Sequence, residues 1–306
     1  MEKITVSERG RSRRNLDTAA AERLAGIVCA RENLDSVGLH RLGPVGANAT
    51  FLAPAAHVVL RITSAEHTRR ALREIRVAQW LLSEGIPVVR PLRSSPVAVD
   101  GRVATLWEEI PDPTIASTGD LGEMLGRLHA LEAPTQMELP ALEPLAGVED
   151  YLDSAEGLDA DDMAFLRRQL EELRAAYARL DFALPAGPIH GDAHRKNIVR
   201  SGEGRVVMLD LERVSIGPRE WDTIVAATYA HLGWYTPEEY TAFITAYGSD
   251  VRNWAGFPTL LEIRKLRMTA WLCSRTGREP RLRAEATQRI ATLRDSSRSQ
   301  EWTPGV

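Results

Sequence analysis

The hydrophobic pattern of the 306-residue chain changes near residue 110, at the Pro-rich segment IPDPTIAS. Before this segment, short apolar runs alternate with turn residues. His57–Thr63 is β-branched and apolar, and Asp100-Gly101 lies between two alternating runs, which is a strong hairpin signal. A helical pattern over 69–84 lies between these strands. After the segment, apolar residues recur mainly at helical spacing, so the pattern predicts a small β-rich lobe followed by a larger α-helical lobe.

One hairpin interrupts the helical half. Residues 197–212 form two short apolar runs on either side of Ser201-Gly202-Glu203-Gly204, a turn-forming sequence. Further on, Thr236-Pro237-Glu238-Glu239 is a capping box with Pro at the first helical position. The predicted fold class is α+β and bilobal. The expected boundaries are a lobe at 17–109, a lobe at 110–295, and flexible tails at 1–16 and 296–306.

Composition and charge exclude several classes of protein. The net charge of −4 is spread over interspersed acids and bases, whereas nucleic-acid binding usually leaves a basic excess. No apolar run approaches the roughly 18 residues of a membrane span, and the polar N-terminus lacks a signal-peptide core. Cys29 and Cys273 lie in apolar helical contexts and are expected to be buried, reduced thiols. These features predict a cytoplasmic monomer or homodimer without nucleic-acid or membrane partners.

The stretch HGDAHRKN at 190–197 carries the strongest chemical pattern. Asn197 opens the embedded hairpin and Asp210 closes it, so the two should lie close together, with Asp192 on the loop leading in. Two carboxylates and an amide suit Mg²⁺, and a carboxylate free of metal could accept a proton from a hydroxyl. Each residue alone could simply belong to a turn. The three residues together, at this spacing, favour a functional site over a set of ordinary turn residues.

A zinc site is the alternative for the same stretch. His190 and His194 are four residues apart, which would place them on one face of a helix. Gly191 and the flanking prolines make a helix unfavourable here, and no H-E-x-x-H pattern or neighbouring cysteine is present. The sequence therefore favours magnesium over zinc.

In the first lobe, two charged residues interrupt apolar patterns. Arg61 lies within the strand VVLRIT, and Glu74 lies on the apolar side of its helix. Each needs a partner, so we expect them to pair, with the remaining guanidinium donors facing a phosphate. An ordinary ion pair is the alternative. Gly43 and Gly46 could let backbone amides approach phosphates, although no Walker A motif follows them.

These residues together resemble the aminoglycoside phosphotransferase and choline kinase family, which has a protein-kinase-like fold. His190-Gly191-Asp192 with Asn197 is similar to the H-G-D-x-x-x-x-N motif of that family. The DLE segment at 210–212 and the GPREWD segment at 217–222 resemble its next two motifs, and Leu128-His129 resembles the L-H of the first large-lobe helix. The resemblance extends from about residue 20 to about residue 275.

The resemblance implies roles in the second lobe. Asp192 would be the catalytic residue that orients a substrate hydroxyl and accepts its proton. Asn197 and Asp210 would hold Mg²⁺ on the nucleotide phosphates, and Asp222 would brace the catalytic loop. The phosphate donor would be ATP, with GTP possible, and the acceptor would be a small molecule with a hydroxyl group.

It also implies nucleotide-binding roles in the first lobe. Arg61 would contact the α- and β-phosphates, where the family usually has a lysine, with Glu74 as its helical partner. Glu108 and Ile110 would offer the backbone carbonyl and N–H that read the adenine edge, behind Trp107. Arginine forks over two acceptors whereas lysine is a point charge, so the substitution puts the phosphate geometry in doubt.

The acceptor is left open by the sequence. An aminoglycoside-like antibiotic or related natural product is the first expectation, and such polycations need an acidic cleft. Acidic residues are dense at 149–162, although those at the end of this run could merely decorate a helix N-terminus. The 262–267 run, Glu-Ile-Arg-Lys-Leu-Arg, is basic and argues against a cationic acceptor, although it could equally be a solvated helix face. A metabolic kinase acting on choline, homoserine or a sugar, and a nucleotide-binding pseudokinase, are the alternatives.

Overall fold

The computed structural model describes residues 17–44 and 48–305. These residues divide into two compact units, one within Met1–Pro113 with Ser201–Glu203 and the other within Thr114–Arg200 with Gly204–Val306. Each unit has its own cluster of buried apolar side chains. The first unit is built mainly on an antiparallel sheet and the second mainly on helices, which confirms the predicted α+β class. The predicted tail at 1–16 lies outside the described residues.

The described part of the first unit contains two helices and five strands. These elements are α1 (Thr18–Arg31), β1 (His40–Arg41), β2 (Ala49–Ala53), β3 (Val58–Ser64), α2 (Thr68–Ser83), β4 (Val97–Val99) and β5 (Arg102–Glu108). The five strands form one antiparallel sheet in the order β1-β2-β3-β5-β4.

Local sequence explains where these elements begin and turn. The side chain of Asp17 accepts a hydrogen bond from the amide of Ala20 at 2.7 Å and so caps α1. Asp100 and Gly101 have φ values of 42° and 73° and connect β4 to β5, as the predicted hairpin requires. The predicted helix at 69–84 corresponds to α2.

The second unit contains the longer helices. Its elements are β6 (Thr114–Ile115), α3 (Thr118–His129), α4 (Val148–Asp153), α5 (Ala160–Tyr177), β7 (Gly187–Ile189), β8 (Ile198–Arg200), β9 (Val206–Met208), β10 (Ser215–Gly217), α6 (Glu220–His231), α7 (Pro237–Tyr247), α8 (Phe257–Cys273) and α9 (Arg283–Arg294).

Short strands in this unit position the loops around residue 192. β8 and β9 form the predicted hairpin, with Ile198 opposite Met208, and β6 pairs with the other edge of β8. β7 pairs antiparallel with β10, with Ile189 opposite Ser215. The segment between Ile189 and Ile198 therefore connects two anchored strands. This segment contains the whole HGDAHRKN stretch.

Two helices of the second unit are buried on nearly every face. The first nine residues of α6 are all buried, and ten of the seventeen residues of α8 are buried. A helix surrounded by protein has no polar stripe, and the hydrophobic periodicity of the sequence did not predict α6. None of the described helices combines the length and apolar character needed to cross a membrane.

The described C-terminal segment packs onto α9, which differs from the predicted loose tail at 296–306. Trp302 is 3% exposed, and its indole N–H donates to the hydroxyl of Thr292 at 3.0 Å. The guanidinium of Arg289 lies 4.8 Å from the Trp302 ring centre and donates to the carbonyl of Thr303 at 2.8 Å. A buried aromatic residue and the hydrogen bonds beside it thus anchor an otherwise polar segment.

The two cysteines are free and buried, as expected. Burial raises the pKa of the Cys29 thiol, and it raises the pKa of Cys273 to about 12. Both thiols are therefore protonated and unreactive at neutral pH.

Candidate active site

The loop that begins at residue 190 is held by one buried carboxylate. Asp222, in the first turn of α6, is fully buried and accepts hydrogen bonds from the amides of His190 at 2.6 Å and Gly191 at 2.8 Å. Charged acceptors on backbone amides form strong hydrogen bonds, so the loop immediately before Asp192 is fixed. These contacts are the ones that the expected bracing role of Asp222 requires.

A histidine on α3 holds that carboxylate in turn. The Nε2 atom of His129 lies 3.0 Å from Asp222 Oδ2, and its Nδ1 atom lies 2.8 Å from the hydroxyl of Tyr247. His129 is 3% exposed. The Leu128-His129 pair singled out in the sequence therefore supports the loop from behind, through Asp222.

Gly191 has no room for a side chain. Its φ is +84°, a left-handed conformation, and a Cβ there would lie 2.4 Å from the backbone oxygen of Arg213. Gly204, in the β8–β9 turn, has nearly the same φ of +85° but open space around the Cβ position. Both glycines thus need the left-handed backbone conformation, but only at Gly191 would a side chain also clash with a neighbouring residue.

This difference makes Gly191→Ala a test of the loop, with Gly204→Ala as its control. Both variants place alanine in a left-handed conformation, which costs about 1–2 kcal/mol. Gly191→Ala must also displace the backbone at Arg213, so we expect a loss of unfolding free energy of about 3 kcal/mol or more. Urea unfolding of both variants measures the difference. Equal losses in the two variants would show that the close contact at Gly191 is unimportant.

Asn197 connects the loop to the hairpin. Its side-chain amide donates to the carbonyl of Asp192 at 3.1 Å, and its backbone carbonyl accepts from the amide of Leu209 at 2.8 Å. Asp210 follows directly, in a left-handed conformation with a φ of +56°. Two hydrogen bonds thus join Asp192, Asn197 and the residue before Asp210, and the structure brings the predicted trio to one end of the hairpin.

The donor atoms at this end of the hairpin fit a hard cation. Because the amide nitrogen of Asn197 is occupied by the Asp192 carbonyl, its Oδ1 atom is the one left to act as a ligand beside the Asp210 carboxylate. Carboxylate and amide oxygens are ligands that Mg²⁺ accepts, with phosphates and waters completing its shell. Zinc fits less well. His190 is fully buried, and its Nε2 atom lies 2.9 Å from the Leu209 carbonyl, so the backbone engages the nitrogen that a metal would need.

Asp192 forms an ion pair with Arg264, a residue for which the sequence pattern predicted no role. The guanidinium of Arg264, on α8, lies 3.0 Å from Asp192 Oδ1, and the two side chains are 10% and 28% exposed. Burial is the largest single effect on the pKa of Asp192 and opposes its ionisation. The charges of Arg264, His194 and Arg213 and the hydrogen bond from Arg264 together outweigh it, and they hold the pKa of the carboxyl well below its ordinary value. Asp192 is therefore a carboxylate at neutral pH.

The signal for Arg264 was present but ambiguous. It belongs to the basic 262–267 run, where Leu260, Ile263 and Leu266 mark the apolar positions of α8. A charged residue among buried positions of a helix needs a partner. Its partner is 72 residues away in the sequence, so nothing local could identify it.

Asp192 lines a cavity of about 560 Å³ within the second unit. Residues from the 190–197 loop, α6 and α8 line it, together with Pro304 and Gly305 of the packed C-terminal segment. Tyr151 and Trp271 contribute aromatic walls. An ionised carboxylate at the edge of a cavity of this size is a usual arrangement of a small-molecule site.

The acidic residues at 149–162 do not line this cavity. Asp159 caps α5, and Asp153 and Asp162 pair with Arg167 and Arg294 at 2.8 Å and 2.7 Å. Among the lining residues of the cavity, all in the described part of the chain, Asp192 is the one carboxylate. The interpretation of the Asp159–Asp162 segment as a helix N-terminus is therefore the one the structure supports.

The first unit holds the other predicted site residues. Arg61 and Glu74 form the predicted ion pair, with Arg61 Nη1 3.1 Å and 3.3 Å from the two carboxylate oxygens. Glu108 ends β5, and Ile110 lies two residues beyond it. Gly43 has a φ of +78° and open space around it. Gly46 lies outside the described residues.

Comparison with known proteins identifies the family. Residues 46–258 match the sequence model of the phosphotransferase enzyme family, which is more than half of the chain. No curated protein matches the chain. The match includes the 190–197 loop, the hairpin and the buried Asp222.

Solved structures share the fold at low sequence identity. A choline/ethanolamine kinase family protein from Mesorhizobium loti is 22% identical with a TM-score of 0.59, covering 94% of this chain and 95% of that one. An amicoumacin kinase in complex with AMP-PNP, Ca²⁺ and Ami is 14% identical with a TM-score of 0.66, covering 91% and 95%. A microcompartment-associated aminopropanol kinase is 18% identical with a TM-score of 0.64, covering 87% and 94%. By its sequence match and its kinase-like α+β fold, this chain belongs to the phosphotransferase enzyme family.

Proposed function

We propose that this protein transfers the γ-phosphate of ATP, or of GTP, to a hydroxyl group of a small molecule, with Asp192 as the catalytic residue. The observation that carries the proposal is the ionised Asp192 at the edge of the cavity, on a loop whose backbone is fixed by Asp222. Phosphoryl transfer depends mainly on positioning and on charge neutralisation, and a fixed carboxylate beside an acceptor cavity serves the first of these.

The proposed step is a direct displacement. The hydroxyl oxygen of the acceptor bonds to the γ-phosphorus, the bond from that phosphorus to the β–γ bridging oxygen breaks, and the nucleoside diphosphate leaves. The hydroxyl proton passes to the carboxylate of Asp192. A carboxylate of low pKa is a weak base, but phosphoryl transfer through a loose transition state needs the hydroxyl oriented more than deprotonated in advance.

Asn197 and Asp210 would hold Mg²⁺ through the Oδ1 atom and the carboxylate described above. When bound, the ion would neutralise charge on the nucleotide phosphates. The hydrogen bond from the side-chain amide of Asn197 to the Asp192 carbonyl fixes this side chain, so its Oδ1 atom would be placed before the metal arrives. Placing donors in advance avoids the cost of ordering them on binding.

Arg61 would bind nucleotide phosphates from the first unit. Glu74 contacts the Nη1 atom of its guanidinium, and the planar guanidinium group suits phosphate oxygens as ligands. Glu108 and Ile110 would contact the base through their backbone groups. These assignments follow from the family to which the chain belongs and from the observed Arg61–Glu74 pair.

The test is a measurement of nucleotide binding and turnover in the intact protein. Thermal shift and calorimetry with ATP and GTP, with and without Mg²⁺, are expected to show metal-dependent nucleotide binding. A coupled ADP or GDP release assay against aminoglycosides, other hydroxyl-bearing antibiotics, choline, homoserine, sugars and hydroxy acids is expected to show stimulation by at least one compound. Absence of metal-dependent nucleotide binding would refute the proposal. Binding without turnover of any acceptor would favour the pseudokinase alternative.

A further inference from the structure

The cavity at Asp192 is rich in positive charge. Six cationic side chains line it within the described residues, against the single carboxylate of Asp192. This local excess contrasts with the overall charge of the protein, which is −4. The cationic residues are Arg195, Lys196, Arg213, Arg264, Arg267 and Arg289.

Three of these cations are already neutralised by protein carboxylates. Arg264 pairs with Asp192 at 3.0 Å, and Arg289 pairs with Glu285 at 2.7 Å. Arg195 pairs with Glu239, which also completes the capping box of α7. These three arginines therefore line the cavity but contribute little net positive charge to it.

The other three cations form no salt bridge with a carboxylate in the described part of the chain, although the charge of Asp192 acts on Arg213 and Arg267 from a longer distance. Arg267 donates to the backbone carbonyls of Pro144 and Ala146, which carry no charge. Lys196 and Arg213 are exposed and form no ion pair with any described residue. Burial, together with the charges of Arg264 and Arg213, lowers the pKa of Arg267 to about 10. It stays protonated at neutral pH, so it contributes a positive charge to the cavity.

The cationic side chains that line the cavity repel one another. An anionic ligand would reduce this repulsion, whereas a polycation would increase it. Guanidinium groups match the planar geometry of carboxylates and the oxygens of phosphates, and both bind more tightly where water is partly excluded. Trp271 is 42% exposed, so part of its ring is available to a ligand. Aromatic surface in the same cavity comes from Tyr151, Tyr229, Trp234, Tyr235 and Trp271.

We infer that the acceptor of the proposed reaction is an anionic hydroxyl compound, with a flat apolar body that carries a carboxylate or phosphate group. Lys196, Arg213 and Arg267 would hold the anionic group, and the aromatic walls would hold the apolar body. A compound bound in this way would have its hydroxyl group in the cavity that Asp192 lines. The inference rests on the proposed function, and it disfavours the aminoglycoside-like acceptor expected from the sequence.

The test uses three probes of nearly equal shape that differ in charge. These are 4-(hydroxymethyl)benzoate, 1,4-benzenedimethanol and 4-(aminomethyl)benzyl alcohol, measured by calorimetry with Mg²⁺ and a non-hydrolysable ATP analogue present. The carboxylate is expected to bind at least about tenfold more tightly than the amine, and raising the ionic strength is expected to reduce that preference. Equal or tighter binding of the amine, or absence of binding by all three probes, would overturn the inference.

Matched variants locate the preference. Arg267→Gln and Lys196→Gln are each expected to reduce the preference for the carboxylate probe at least about threefold, while the nucleotide Kd changes by less than about twofold. Arg168→Gln removes an exposed charge on α5 that does not line the cavity, and it is expected to leave the preference unchanged. Lys196 is exposed, so its variant remains informative if Arg267→Gln is unstable. Weaker nucleotide binding with an unchanged preference would assign these cations to the nucleotide and overturn the inference.

The two proposals can fail separately. Metal-dependent nucleotide turnover that is stimulated by an aminoglycoside, and by no anionic compound, would support phosphoryl transfer and overturn the anionic acceptor. Loss of nucleotide binding altogether would refute the proposed function itself.

Discussion

Asp192→Asn is expected to lower kcat for phosphoryl transfer on the order of 10²–10⁴-fold, the range associated with a positioned acid–base group. The amide keeps the size of the side chain but cannot accept the hydroxyl proton. It also loses the charge that pairs with Arg264 at 3.0 Å. The nucleotide Kd is expected to change little, because Asp192 acts on the acceptor. The measurement is steady-state turnover with a stimulating acceptor, together with calorimetric titration of Mg-nucleotide.

Asp181→Asn is the matched control for this variant. Asp181 is an exposed carboxylate of the same unit, and its side chain does not line the cavity. Turnover of this control is expected to equal that of the wild type. Near-native turnover by Asp192→Asn, with folding and nucleotide binding intact, would show that another group receives the proton.

Asp210→Asn is expected to act on a different step. Replacing the charged metal ligand with a neutral amide should weaken Mg-dependent nucleotide binding by at least about tenfold, since even supporting residues of metal sites have effects of that size. The reason is electrostatic, because an amide oxygen carries far less negative charge than a carboxylate. The measurement is the nucleotide Kd as a function of Mg²⁺ concentration, and excess Mg²⁺ should recover part of the loss.

Glu203→Gln is the control here, because it removes one exposed carboxylate from the turn of the same hairpin. Its nucleotide Kd is expected to match that of the wild type at every Mg²⁺ concentration. If Asp210→Asn kept wild-type Mg²⁺ dependence, the metal would have to be held elsewhere. The two aspartates thus predict opposite patterns, with turnover lost at Asp192 and metal-dependent binding lost at Asp210.

Local sequence was sufficient for the elements that have a local cause. The Asp100-Gly101 turn, the Asp17 cap of α1 and the capping box that opens α7 each depend on residues within a few positions of one another. The hairpin at 197–212 also follows from local pattern, and with it the approach of Asn197 to the segment before Asp210. The Arg61–Glu74 pair followed from the cost of leaving either charge without a partner.

Tertiary structure decided what depends on distant residues. α6 is buried on nearly every face and so lacks the periodicity that reveals a surface helix. Trp302 anchors the C-terminal segment, which the sequence predicted to be loose. Its hydrogen-bond partners lie on α9 and in the loop after α6, so the sequence around Trp302 could not indicate the anchoring.

The predicted catalytic motif is a sequence property, because Asp192 and Asn197 lie on one short loop whose residue order fixes their spacing. The electrostatic character of the cavity is not. It depends on Arg264 and Arg267, which lie beside the loop because α8 packs there. It also depends on the acidic residues at 149–162 lying outside the cavity lining, with Asp153 and Asp162 paired to arginines. Charge in a folded protein acts over distances in space, so the sequence determined the chemistry of the site and the packing of α8 determined the field around it.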